Sequence, residues 1–307
     1  MARRAASRRW KALRNRVEGL AASRRNTDVI ARHVARLELA ASDAPERPAL
    51  RSRPCRQDEF DAPTREWLER LYGWVHLARS HWEHAVIARA LDAASVVGPG
   101  SRGLGFGVGR EPIVAWAAGR GSEVLATDLD PADRRAPAWA DRGQFGGARE
   151  ELQRPDLCPP EEFAERVRRR SVDMNAVPAD LVGFDFTWSA CALEHLGSLD
   201  AGARFVERAM SCLRSGGLAV HTTELNVSDP EQTVEEGATV AYRQSDLETL
   251  ARRLEEQGHR VAPLDFRAGD GLLDELEPVL PYGWEHHVRA RLGPILTTSF
   301  ALVVEAR

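Results

Sequence analysis

Glycines alternate through Gly103-Leu104-Gly105-Phe106-Gly107-Val108-Gly109, and nineteen residues after Gly109 the apolar run Ala126-Thr127 ends at Asp128. A glycine-rich turn leaving a strand brings backbone close to a ligand, because no Cβ stands in the way. An acid at the tip of the next strand is placed to accept hydrogen bonds from a pair of ribose hydroxyls. Together they describe a nucleoside-bearing cofactor lying across the carboxyl ends of a parallel sheet. The dinucleotide fingerprint Gly-x-Gly-x-x-Gly does not fit in any register, since the third glycine would fall at Val108, Arg110 or Pro112. The helix opened by Arg110-Glu111-Pro112 is a poor pyrophosphate seat, yet it can cradle a ribose and an amino-acid tail.

Further motifs follow in order: Ser171-Val172-Asp173-Met174, Phe184 to Ser189 running into Leu193-Glu194-His195-Leu196, and Arg214-Ser215-Gly216-Gly217 before Leu218-Ala219-Val220-His221. With the glycine loop and Asp128 they make the chain resemble the class I S-adenosylmethionine-dependent methyltransferases over roughly residues 100 to 307. The resemblance implies S-adenosylmethionine as cofactor and S-adenosylhomocysteine as product. Asp128 would hold the ribose hydroxyls and Asp173, with Met174 beside it, the adenine. Gly105, Phe106, Gly107, Val108 and Gly109 would hold the methionine tail, with Ser189 at the end of the fourth strand. Such enzymes carry an acid two residues before the first loop glycine, where this chain has Gly103; Glu111 or a backbone carbonyl would then meet the cofactor's ammonium.

Methyl transfer from a sulfonium requires alignment of the acceptor, exclusion of water and, for a hydroxyl acceptor, removal of a proton. His195 after the fourth strand, and His221 with Glu224 on the fifth, are the catalytic candidates. Strand alternation points His221 and Thr223 to one side and Glu224 to the other, and a packed, hydrogen-bonded His221 is the competing reading. Tyr282, His286 and His287 are the candidate acceptor contacts. Glu194, His195, His221, Glu224, His286 and His287 have no short ligand spacing, so no metal is expected. Cys191 reads as a small buried hydrophobe.

The elements that must position these groups alternate. Strands are predicted near Gly103–Phe106, Glu123–Thr127, Arg169–Asp173, Phe184–Ser189, Leu218–Thr223, Val261–Phe266 and Thr297–Glu305. Helices are predicted at Pro112–Arg120, Pro160–Arg168, Asp200–Arg214 and Ser245–Gly258, the last with a Ser245-x-x-Glu248 capping box. The expected fold is α/β, a doubly wound, seven-stranded Rossmann-like methyltransferase sheet with an antiparallel last strand and an N-terminal helical extension. The expected divisions are a basic helical arm (1–41), a linker and helical cap (42–98), and the methyltransferase domain (99–307). That domain carries insertions at about 131–160, 224–242 and 267–294, where acceptor specificity should lie. The stretch 62–94, with Trp67, Trp74 and Trp82, reads as one long helical element.

The 307 residues, 43% hydrophobic and 29% charged, suit a soluble globular protein, and no apolar run reaches the roughly 18 to 20 residues of a membrane span. Four scattered cysteines without a Cys-x-x-Cys pair read as reduced thiols in a cytoplasmic protein. Through Glu38, eleven basic residues face three acids, against a net charge of −4 for the whole chain. That basic arm suggests nucleic acid, its own body, or a homo-oligomer joined through the N-terminal helices. A nucleic-acid methyltransferase is disfavoured because Trp188-Ser189-Ala190-Cys191 lacks the Asn/Asp-Pro-Pro-aromatic loop that grips a flipped base. The wording of Gly103 to Pro112, Phe184 to Leu199 and His221 to Val227 is similar to bacterial methyltransferases of polysaccharide or secondary-metabolite assembly. The leading expectation is therefore O-methylation of a small polar acceptor in biosynthesis. The alternatives are a nucleic-acid enzyme and a non-catalytic cofactor-binding scaffold, the latter prompted by Gly103.

Overall fold

A computed structural model describes Asn26, Val29 and residues 48–133, 135, 148–278 and 286–307. Tyr282, most of the basic arm and the middle of the 131–160 insertion lie outside the described residues. The core is a doubly wound sheet. Five parallel strands, β2 (Arg102–Phe106), β3 (Glu123–Asp128), β4 (Val167–Ser171), β5 (Phe184–Ser189) and β6 (Leu213–Asn226), lie in the order β4-β3-β2-β5-β6. The chain reverses direction at β2, which opens a crevice at the carboxyl ends of β2 and β5. Strand β9 (Ile295–Glu305) runs antiparallel along β6 from Leu218 to Asn226, as expected of the last strand.

The far edge of β9 is shared by three short strands instead of one full partner. Strands β1 (Arg53–Pro54), β7 (Arg260–Val261) and β8 (Ala290–Leu292) pair with it at Phe300–Ala301, Val304–Glu305 and Ile295–Thr297. The strand predicted at Val261–Phe266 is thus cut to two residues, because the segment before the helices occupies the edge it would have filled.

Helices cover both faces. Helices α1 (Ala62–Tyr72), α2 (Arg79–Ala93), α3 (Ile113–Gly119) and α4 (Pro160–Arg166) bury Trp67, Trp82, Ile113 and Phe163 in one core. Helices α5 (Leu199–Met210) and α6 (Gln244–Glu256) bury Phe205, Val206 and Leu250 in the other. The long helical stretch predicted at 62–94 is broken. Gly73, at φ 76°, donates its N–H to the Glu69 carbonyl and ends α1, and the chain then turns into α2 over the carboxyl ends of the strands. Helix α6 is capped by Asp246, which accepts from the Arg243 N–H at 2.8 Å, rather than by Ser245. Among the described residues no helix is long and apolar enough to cross a membrane.

The glycine run divides into two uses. Gly103 and Gly105 sit opposite Phe186 and Trp188 of β5. A Cβ at Gly103 would stand 2.3 Å from the Phe186 ring, and one at Gly105 2.5 Å from Trp188 and Val108. Those glycines make room for aromatic rings, and the acid expected at position 103 has no space. Gly107 and Gly109, at φ 58° and 50°, form the turn itself. Gly103→Ala should therefore cost about 1 to 3 kcal/mol in denaturant unfolding, with part of the loss restored by Phe186→Leu. An unchanged unfolding midpoint in the single variant would contradict this packing account.

Candidate functional site

A cavity of about 750 Å3 lies over the carboxyl ends of the parallel strands. Its floor is the turn at Gly107–Glu111, Asp128 at the end of β3, Asp173–Met174 after β4, Ala190–Leu196 after β5, and Glu224 on β6. Tyr72, Arg79, Glu83 and His84 of α1 and α2 form its roof, and Arg291 and Thr297 close one side.

At the glycine turn, the Gly109 N–H donates to Asp128 Oδ2 at 3.1 Å and the Leu129 N–H to Oδ1 at 2.8 Å. These two backbone N–H groups orient the carboxylate at the mouth of the turn. A Cβ at Gly107 would come 3.0 Å from the Ala192 Cβ and 3.4 Å from the Met174 sulfur, so glycine keeps this junction of three loops open. Asp173 accepts from the Asn175 N–H at 2.9 Å and pairs with Arg135 at 2.7 Å.

Glu111 is buried at the start of the turn into α3. Its Oε1 accepts from the Trp188 indole N–H, and its Oε2 lies 3.7 Å from His84 Nε2. Burial pushes its carboxyl up to about 8; the indole bond opposes this, and the Glu83 and Asp128 carboxylates add to it. His84, hydrogen-bonded to the Tyr72 hydroxyl, is held down to about 3 by burial, so it is neutral and supplies no counter-charge.

A second acidic group lies across the cavity. Glu83 of α2 accepts from the Cys191 thiol at 3.0 Å, from Ser299 Oγ, and from Thr222 Oγ1 at 3.3 Å. Glu224 pairs through Oε1 with Arg79. Glu194 accepts from Thr223 Oγ1 at 3.2 Å, and burial followed by the Glu224 charge pushes its carboxyl up to about 8. Burial also pushes up Glu83 and the Cys191 thiol. His195 must donate from Nδ1 to the Ala238 carbonyl at 2.8 Å, which leaves its Nε2 3.8 Å from Glu194 Oε1.

Of the residues singled out from sequence, Gly107, Val108, Gly109, Glu111, Asp128, Asp173, Met174, His195 and Glu224 line this cavity. Others do not. Gly105 faces Trp188, and Phe106 points into the opposite core against Phe205, with ring centroids 5.1 Å apart. Ser189 and His221 are fully buried and bond each other at 2.8 Å. His221 packs edge-on against Phe205, and burial lowers it to about 3. The packed reading of His221 is the one realised: alternation on β6 sends it toward α5, while Thr222 and Glu224 reach Glu83 and Arg79. His286 and His287 instead stitch the last connection to the turn between α1 and α2: the Leu77 N–H donates to His286 Nδ1 at 3.2 Å, and His287 joins Leu77 and Arg79 through its backbone.

Sequence reasoning missed Glu83, Arg79, His84 and Tyr72, and took Cys191 for a hydrophobe. One signal existed. Arg79 and Glu83 fall on the same helical face as Val86, Ile87 and Ala90, where a charged pair has no business without a polar cavity above it.

The arrangement is a crevice at the carboxyl ends of a doubly wound sheet, with an acidic compartment beside it. No family model and no curated protein matches the sequence. Among solved structures, the chain is similar to 1,6-didemethyltoxoflavin-N1-methyltransferase from Burkholderia thailandensis, at 17% identity, 87% of this chain, 94% of that one and a TM-score of 0.44. It is also similar to magnesium protoporphyrin IX methyltransferase from Synechocystis PCC 6803, at 12%, 82%, 98% and 0.43. A TehB-like S-adenosylmethionine-dependent methyltransferase from Corynebacterium glutamicum gives 16%, 73%, 87% and 0.39.

Proposed function

We propose that the chain is an S-adenosylmethionine-dependent methyltransferase acting on a small polar acceptor, a hydroxyl of a saccharide or secondary metabolite. The observation that carries this reading is Asp128 at the tip of β3, locked to the Gly109 and Leu129 N–H groups inside the cavity. A carboxylate so fixed is preorganised for two vicinal hydroxyls. The residues fit the donor. Asp128 would take the ribose, Asp173 and Met174 the adenine side, and Gly107 and Gly109 the tail. Buried Glu111, lying in the cavity wall beside that turn, would meet the ammonium.

When bound, the donor supplies a methyl group already activated on sulfonium. The chain's own work is to hold the acceptor under α2, exclude water and accept a proton. His195 is the group at hand for that last step; His221 is buried away from the cavity, and Glu224 is held by Arg79. The missing acid at Gly103, which prompted the scaffold alternative, has a packing cause and leaves catalysis open.

Asp128→Ala should weaken donor binding by roughly 1 to 3 kcal/mol, about 5- to 150-fold in Kd. Calorimetry with S-adenosylhomocysteine checks it. Wild-type affinity in the variant overturns the assigned role, and no binding by the wild-type chain overturns the reading as a whole.

A further inference from the structure

We propose that Cys191, Glu194 and Glu224 bind a divalent transition-metal ion of the zinc type at the inner end of the acidic compartment. One ligand atom from each lies within 4.8 Å of those of the other two. Two of these groups end in oxygens that are buried and make no hydrogen bond, Glu194 Oε1 and Glu224 Oε2. Leaving a carboxylate oxygen sealed from water without a partner is costly, and a cation between such oxygens removes the cost.

Charge points the same way. Glu83, Glu194 and Glu224 are all buried and in contact with this compartment, and Arg79 is the guanidinium paired within it. Three carboxyl groups share one guanidinium, and a divalent ion would supply positive charge that their ionisation otherwise lacks. The donor set of one thiol and two carboxylates suits a borderline ion better than magnesium or calcium, which take oxygen alone. His195 Nε2, with its Nδ1–H anchored on Ala238, lies 3.8 Å from Glu194 Oε1 but outside the group of three, so the fourth position is left to solvent or the acceptor. Cys191 is held at φ 44°, a left-handed backbone unusual for a residue with a Cβ, and this aims its thiol at the carboxylates.

A substituted ammonium does not suit these oxygens, because they are buried away from water, whereas a bare ion can lie between them. Binding exchanges the thiol's S–H bond for a sulfur–metal bond, displaces the proton carried by Glu194, and releases both protons to solvent. An acceptor oxygen on the cavity side would be held and polarised by the ion, beside the turn at Gly107.

The test is titration of chelator-treated, full-length protein with CoCl2, followed by absorbance, then competition with ZnCl2 and MnCl2. One ion per chain is expected, with a thiolate-to-cobalt charge-transfer band. Cys191→Ser should lose that band, and Glu194→Gln should weaken Co2+ binding at least about tenfold. No stoichiometric binding by the wild type overturns the proposal, and so does an identical spectrum and affinity in Cys191→Ser. No methyl donor is present in this titration. Its failure therefore leaves the methyltransferase reading standing, and failure of donor binding leaves the metal site standing.

Discussion

Binding of S-adenosylhomocysteine at pH 7 is expected to release close to one proton per chain, and Glu111→Gln is expected to abolish that release. Glu111 sits in the cavity wall with its carboxyl pushed up to about 8, chiefly by burial, so at pH 7 it carries its proton. Its near neighbours give it an indole N–H and a neutral imidazole, not a cation. An ammonium docked beside it would favour the carboxylate, and the displaced proton must leave. Affinity should accordingly tighten as pH rises toward 8, up to about tenfold per pH unit, and flatten above it. Stability of the unliganded protein should follow the opposite trend. A folded-state value raised above the ordinary 4.5 means that the unfolded chain ionises first, so stability is lost as pH climbs from 4.5 to 8. The full loss corresponds to roughly 5 kcal/mol, an order-of-magnitude figure. Calorimetry in buffers of different ionisation enthalpy reads the proton count directly. A wild-type chain that binds the ligand without releasing a proton would place the ammonium elsewhere.

What the sequence disclosed was what local pattern controls. Strands β2, β3, β5 and the body of β9 fall where alternation and turn residues put them, as do helices α3 to α6 within a few residues. The place of Asp128 at the end of β3 was legible because the strand and the loop spacing fix it. Other features depend on partners far along the chain. Gly103 and Gly105 looked like ligand glycines, and only the register with β5 shows the rings that require them. The acidic compartment was invisible for the same reason, since Glu83 meets Cys191 across 108 residues and Ser299 across 216. His221 and Glu224 share a strand, and their opposite fates turn on which face meets α2. The truncation of β7 follows from competition for one edge, which no reading of 260–266 alone could reveal.

Glu59→Ala is expected to be the most destabilising of the simple substitutions, by about 3 to 5 kcal/mol, and to leave donor affinity at low temperature little changed. Glu59 is buried beside the edge strand β1 and serves three guanidiniums. Oε1 accepts from Arg51 at 2.6 Å and Arg56 at 2.8 Å, and Oε2 from Arg53 at 2.5 Å. Arg53 is itself fully buried, and loss of water, with the Arg51 and Arg89 charges beside it, draws it down to about 10 even against the pull of Glu59. Removing the carboxylate strands these cations in a place they cannot leave, because β1 is fastened to β9 at Arg53 and Pro54. Asp265 remains near Arg51 and Arg56 but already pairs with Arg267, so it cannot serve all of them. Thermal unfolding should fall by roughly 6 to 12 °C. Added salt should recover little of that, since buried pairs are weakly screened. Glu59→Gln, which keeps an acceptor oxygen but not the charge, should lie between. If Glu59→Ala melts within 2 °C of the wild type (about 1 kcal/mol or less), the three arginines have another counter-charge and the edge is not held by this one.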